Sequence, residues 1–113
     1  MNKNPWVDSL PAAVTVCEAD GRIIEMNAKA REVFAEDGGT GLLGRNVLDC
    51  HPEPARTKLG EMMDKGQANV YTIEKRGLKK LIYQAPWFRD GQYAGHVEIS
   101  FEIPRDLPHH KRD

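Results

Sequence analysis

The chain has 113 residues, 40% of them apolar and 29% charged, which suits one domain with a single core that needs no disulfide or metal staple. Its 16 basic and 17 acidic residues are interspersed and leave a formal charge of -1, so no field exists to gather nucleic acid or an anionic membrane. Cys17 and Cys50 have neither finger nor redox-pair spacing, the first residues lack the apolar core of a signal peptide, and no apolar run approaches the roughly 18 residues that cross a bilayer; a cytoplasmic setting with free thiols is expected.

Residues 1–11 are expected to form an N-terminal helical cap, because Trp6, Val7 and Leu10 follow Pro5 at helical spacing. A core position is preferred for Trp6, with a dimer contact through Trp6, Val7 and Leu10 as the alternative. Val14 and Val16 then alternate with Thr15 and Cys17, Glu18-Ala19-Asp20-Gly21 supplies a turn, and Arg22 to Met26 returns as a second strand. Asn27 reads as the N-cap of a helix from Ala28 to Ala35, with Ala30, Val33 and Phe34 on one face. The glycines of Asp37-Gly38-Gly39-Thr40-Gly41 stop it.

Leu42 to Leu48 has room for one loose turn, and Gly44 suggests a close backbone approach to another element. Pro52 and Pro54 suit the first turn of a new helix, whose apolar stripe is Ala55, Leu59, Met62 and Met63 and whose end is Gly66. Three strands follow: Asn69 to Lys75, then Leu78 to Phe88 after Arg76-Gly77, then a last one after Asp90-Gly91. In the last, Val97, Ile99, Phe101 and Ile103 alternate with His96, Glu98, Ser100 and Glu102; the apolar set is expected to face the core and His96 the solvent. Pro86 should lie beyond a neighbouring strand's end or at a bulge, and residues 104–113 read as a polar tail.

This order of elements resembles a PAS domain over residues 4 to 103. The likeness rests on Asp20-Gly21-Arg22-Ile23-Ile24-Glu25-Met26-Asn27-Ala28-Lys29-Ala30, on Leu42-Leu43-Gly44-Arg45-Asn46 and on Asp90-Gly91-Gln92-Tyr93-Ala94-Gly95. It implies an α+β fold, residues 12–103, with a five-stranded antiparallel sheet in the order 2-1-5-4-3 and helices over one face. Asp49-Cys50-His51-Pro52 also resembles PAS domains fused to hemerythrin-like domains. Flavin photoreceptors of the family carry a reactive cysteine directly after Gly-Arg-Asn, where this chain has Val47. Its oxygen-sensing haem proteins carry a histidine a few residues beyond Pro-Glu-Pro, where this chain has Leu59. Neither cofactor site is supported, and the cofactor is unknown.

Cys50 and His51 are adjacent, so in an extended chain they point apart and form no nucleophile-base pair. The plain expectation is that Cys50 is a small buried hydrophobe and His51 bonds a backbone carbonyl; a ligand role for either, or metal or redox chemistry, remains open. His96, His109 and His110 read as solvated and Cys17 as packed. No catalytic set and no metal site can be named. The candidate ligand pocket joins Cys50, His51, Leu59, Met62 and Met63 to the sheet residues Tyr71, Ile73, Tyr83, Val97 and Ile99. The leading expectation is a sensory module in signal transduction that binds a small ligand and works as a homodimer or with a partner signalling domain. The alternative is a ligand-free pairing module.

Overall fold

Two turns organise the second half of the chain. At Arg76-Gly77 (φ 53° and 79°) and Asp90-Gly91 (φ 52° and 79°) both central residues are left-handed, the backbone that a two-residue hairpin needs. A computed structural model describes residues 4–113. In it these turns fold β3 (Asn69–Lys75), β4 (Leu78–Arg89) and β5 (Gln92–Glu102) into a meander. The first hairpin, β1 (Ala13–Glu18) and β2 (Ile23–Met26), joins it through β1 against β5. The sheet is antiparallel throughout, in the order β2-β1-β5-β4-β3 expected from the resemblance. Pro86 pairs with His96 on one side, and on the other lies past the end of β3, whose ladder stops at the Asn69–Gln84 pair. Its missing N–H therefore costs no rung there.

The chain between β2 and β3 covers one face of this sheet. It holds α2 (Ala28–Val33), three 3-10 turns (Ala35–Asp37, Gly39–Leu42 and Val47–Cys50) and α3 (Ala55–Lys65). Helix α2 ends two residues earlier than expected, and the glycine-rich segment is two tight turns rather than a plain stop. Gly44 does mark a backbone approach: its N–H donates to Ile23 O at 2.8 Å, and Ile23 N–H to Arg45 O at 2.8 Å. Helix α3 starts just after Pro54, and the Glu53 carboxylate caps it by accepting from Thr57 N–H at 2.9 Å. Gly66 closes it in the left-handed conformation.

Two small apolar clusters hold these layers together. Ala13, Ile23, Met26, Ala30 and Leu42 form one; Cys17, Leu59, Met62 and Met63 form the other, and Val47 packs on both. Each well-buried Leu, Ile or Met contributes about 1.5–3 kcal/mol. Ala55, expected on the α3 stripe, is exposed. The short helix α1 (Pro5–Ser9) lies against α2, where the Asp8 carboxylate accepts from Ala28 N–H at 2.8 Å. Trp6 is 65% exposed, so its core assignment is corrected: a helix of five residues packs too little surface to cover the indole. Residues 1–3 of the expected cap lie outside the described residues.

The largest correction concerns which face of the sheet looks inward. Register puts Ala13, Ser100 and Ile82 in one cross-strand row, Thr15, Glu98 and Gln84 in the next, then Cys17, His96 and Pro86. These rows lie under the helices, with Gln84 6% and His96 4% exposed. Val97, Ile99, Phe101 and Tyr83 alternate with them and therefore occupy the opposite face. Strand alternation fixes which residues share a face but not which face meets the core. Here hydrogen bonding makes the polar set the inner one.

Candidate functional site

The inner polar rows are tied to one another and to the helical layer. Gln84 Nε2 donates to Glu98 Oε1 at 2.8 Å across the β4–β5 pair. His96 Nε2 lies 2.8 Å from Gln67 O, just past α3, and a carbonyl only accepts, so Nε2 carries the proton. Neutral His96 Nδ1 then accepts from the Tyr93 hydroxyl at 2.6 Å. Burial, first of the causes, pushes the Tyr93 phenol up to about 12, with the Cys17 and Asp64 charges adding to it. Trp87 Nε1–H donates to Cys17 O at 3.0 Å, directly over Gly95, where any Cβ would overlap that carbonyl.

Between these rows and the helical segment lies a cavity of about 380 Å³, in the range that holds small ligands. Its apolar wall is Ile23, Met26, Phe34, Leu42 and Val47; Thr15 and Glu98 reach it from the sheet. Asp37, Arg45, Asp49 and Cys50 stand at its rim, with His51 beside them. A narrow crevice runs on from it past Val47 and His51 to Leu59, Gln84 and His96. His51 Nδ1 lies 2.8 Å from Val47 O, so it donates there, and in the neutral ring Nε2 is left as an acceptor with no protein partner among the described residues. The carbonyl bond is the one expected from the sequence.

Cys50 is exposed, not the buried hydrophobe expected, and its Sγ lies 3.8 Å from Asn46 O. Desolvation pushes its thiol up, Arg45 opposes, and Asp49 and Asp37 add to the rise. Nothing there makes a reactive thiolate. Cys17 is buried and is also pushed up, first by burial. Among the described residues no cluster of three or more His, Cys, Asp or Glu could hold a metal, and no helix is long and apolar enough to cross a membrane.

The expected pocket residues divide. Cys50 and His51 border the cavity and Leu59 the crevice. Met62 and Met63 are core, packed with Cys17 and Leu59. Tyr71 and Ile73 share the helix-side face by register with Ile82 and Lys80, yet both are exposed beyond the helical cover. Val97 borders the crevice, as Leu59 does; Tyr83 and Ile99 belong to the outer face, so these two are corrected as cavity floor. The residues missed include the apolar wall of Ile23, Met26, Phe34 and Leu42 and, on the sheet, Thr15, Gln84 and Glu98 in one cross-strand row. Counted back from the Asp90-Gly91 turn alone, Glu98 would fall opposite Tyr83; the irregularity between Trp87 and Phe88 moves the register by one residue and brings Gln84 opposite Glu98, which no local pattern in the sequence announces.

The sequence profile of the PAS fold matches residues 7–103. The chain belongs to the PAS fold family. No curated protein sequence matches it. Among solved structures, this PAS domain is similar to a C-terminal domain from Streptococcus mutans, with TM-score 0.68 and 23% identity over 86% of this chain and 79% of that one. It is similar to the PAS domain of histidine kinase ThkA, with TM-score 0.64 and 21% identity over 80% and 98% of the two chains. A third likeness is to the Aer2 receptor of Vibrio cholerae, a dual PAS-heme oxygen sensor, with TM-score 0.61 and 15% identity over 82% and 95%. At such identities the likeness carries the fold.

Proposed function

We propose that this PAS domain is a sensory module of signal transduction that binds a small ligand in the cavity between the sheet and the residue 34–51 segment. The observation that carries this reading is the 380 Å³ space whose apolar wall meets the convergent polar groups of Thr15, Glu98 and His51. Ligand binding signals by favouring one arrangement of the 3-10 turns over another. Native mass spectrometry, an absorption spectrum and melting temperatures across a metabolite library test it. A bound species or a ligand-dependent rise in melting temperature is expected; neither appearing would overturn it. The haem-type reading through Leu59 lacks a donor atom, and the hemerythrin-like neighbour suggested by Asp49 to Pro52 has no counterpart among the relatives described.

A second reading, pairing with another copy, is favoured by the outer sheet face. Val14, Val16, Leu81, Val97 and Ile99 make it apolar, and Tyr83 (40%) and Phe101 (37%) stand exposed on it. With Trp6, Val7 and Leu10 it supplies the output surface of the module. The two readings are compatible in one protein.

A further inference from the structure

The charge and hydrogen-bonding character of the cavity restricts what it takes, an inference that rests on the ligand-binding reading above. Glu98 lies at the centre of the inner row, between Thr15 on β1 and Gln84 on β4. Its Oε1 accepts from Gln84 Nε2, and Oε2 has no protein partner among the described residues. No Lys, Arg or His among them lies within ion-pair distance of it. A carboxylate drawn part-way out of water with neither a counter-charge nor a second donor is costly, and a bound cation relieves that cost.

The other polar groups point the same way. His51 presents a lone pair at Nε2, because Nδ1–H is spent on Val47 O. The Thr15 hydroxyl can accept as well as donate. Acceptors therefore dominate the polar side. At the rim the single guanidinium of Arg45 stands against the carboxylates of Asp37 and Asp49, and Asp49 is itself held by Arg56 at 3.4 Å. With Arg56 set against Asp49, an anionic ligand would still meet two carboxylates, Glu98 and Asp37, for the one guanidinium of Arg45. An ammonium group offers three donors, no acceptor and a positive charge.

We infer that the cavity recognises a small primary amine, its ammonium seated between Glu98 Oε2, Thr15 and His51 Nε2 and its apolar body laid along Ile23, Met26, Phe34, Leu42 and Val47. Glu98 is the specificity-determining residue.

Three probes of matched shape test this at pH 7.5: 2-phenylethylamine, 2-phenylethanol and 3-phenylpropionate, each titrated into the ¹⁵N-labelled chain and followed by amide shifts. The amine is expected to move Thr15, Val47 and Glu98 and to bind at least tenfold more tightly than the alcohol, with the acid weakest. Glu98→Gln keeps an acceptor for Gln84 and should lose the amine preference about tenfold, while an amide spectrum and a melting temperature like those of the wild type show that the variant is folded. Preference for the alcohol or the acid, or an unchanged amine affinity in Glu98→Gln, overturns the amine assignment and leaves the cavity as a ligand site. No movement of the cavity residues with any probe overturns both.

Discussion

Tyr93 illustrates how a single half-buried group sets a pH limit. Its phenol is held up to about 12 against the usual 10.0, so between those values the unfolded chain has lost a proton that the folded chain keeps. The stability that this neutral phenol contributes is complete below pH 10 and is lost as the pH rises towards 12. Ultraviolet titration should show one tyrosine ionising late, and Tyr93→Phe should abolish that late step. The two thiols make a second test. With both pushed up, alkylation by iodoacetamide at pH 7.5 should be slower than for a cysteine peptide, and slower at buried Cys17 than at Cys50. A thiol reacting faster than the peptide would contradict the environments described. At this scale the sequence revealed the His51 carbonyl bond but not the exposure of Cys50, since burial in a 3-10 turn depends on packing that no local pattern encodes.

Asn27 shows how one side chain can join several elements. Its Oδ1 accepts from Ala30 N–H and Val14 N–H, both at 2.9 Å, and its Nδ2 donates to Val7 O and Ala12 O at 2.8 Å. It is the N-cap of α2 and also a brace from α2 to α1 and β1. Asn27→Ala should cost about 2–4 kcal/mol by denaturant unfolding, above the ~1 kcal/mol of a lost cap, because buried partners are left unpaired. A loss no larger than that of an ordinary cap would mean the brace carries no weight. The cap itself was legible in the sequence; the brace, which spans up to 20 residues, was not. Strand β5 failed differently. Its alternation was plain, but phase was assigned by hydrophobicity, and His96 pairs with Tyr93 and Gln67 so completely that it sits inside while Val97 and Ile99 sit outside.

For the molecule as a whole, the element order and turn residues were enough to give sheet order and the roofing segment. Asp90-Gly91 and Arg76-Gly77 leave the chain few ways to pair its last three strands. The location of the cavity was only half legible, because its floor follows from the inverted phase of β4 and β5. That inversion leaves an apolar outer face, and on the pairing reading Ile99→Lys or Phe101→Glu should shift sedimentation towards monomer at high protein concentration with little change in melting temperature. A wild-type chain that is monomeric throughout would remove that reading. The receptor claim has its own decisive measurement, a ligand-observed NMR screen of a fragment library against the wild-type chain and against Val47→Phe, which places a ring where the cavity and its crevice meet. Fragments that bind the wild type and are lost from a Val47→Phe protein of unchanged fold are the expected result; fragments that bind both equally would place recognition elsewhere and contradict the account.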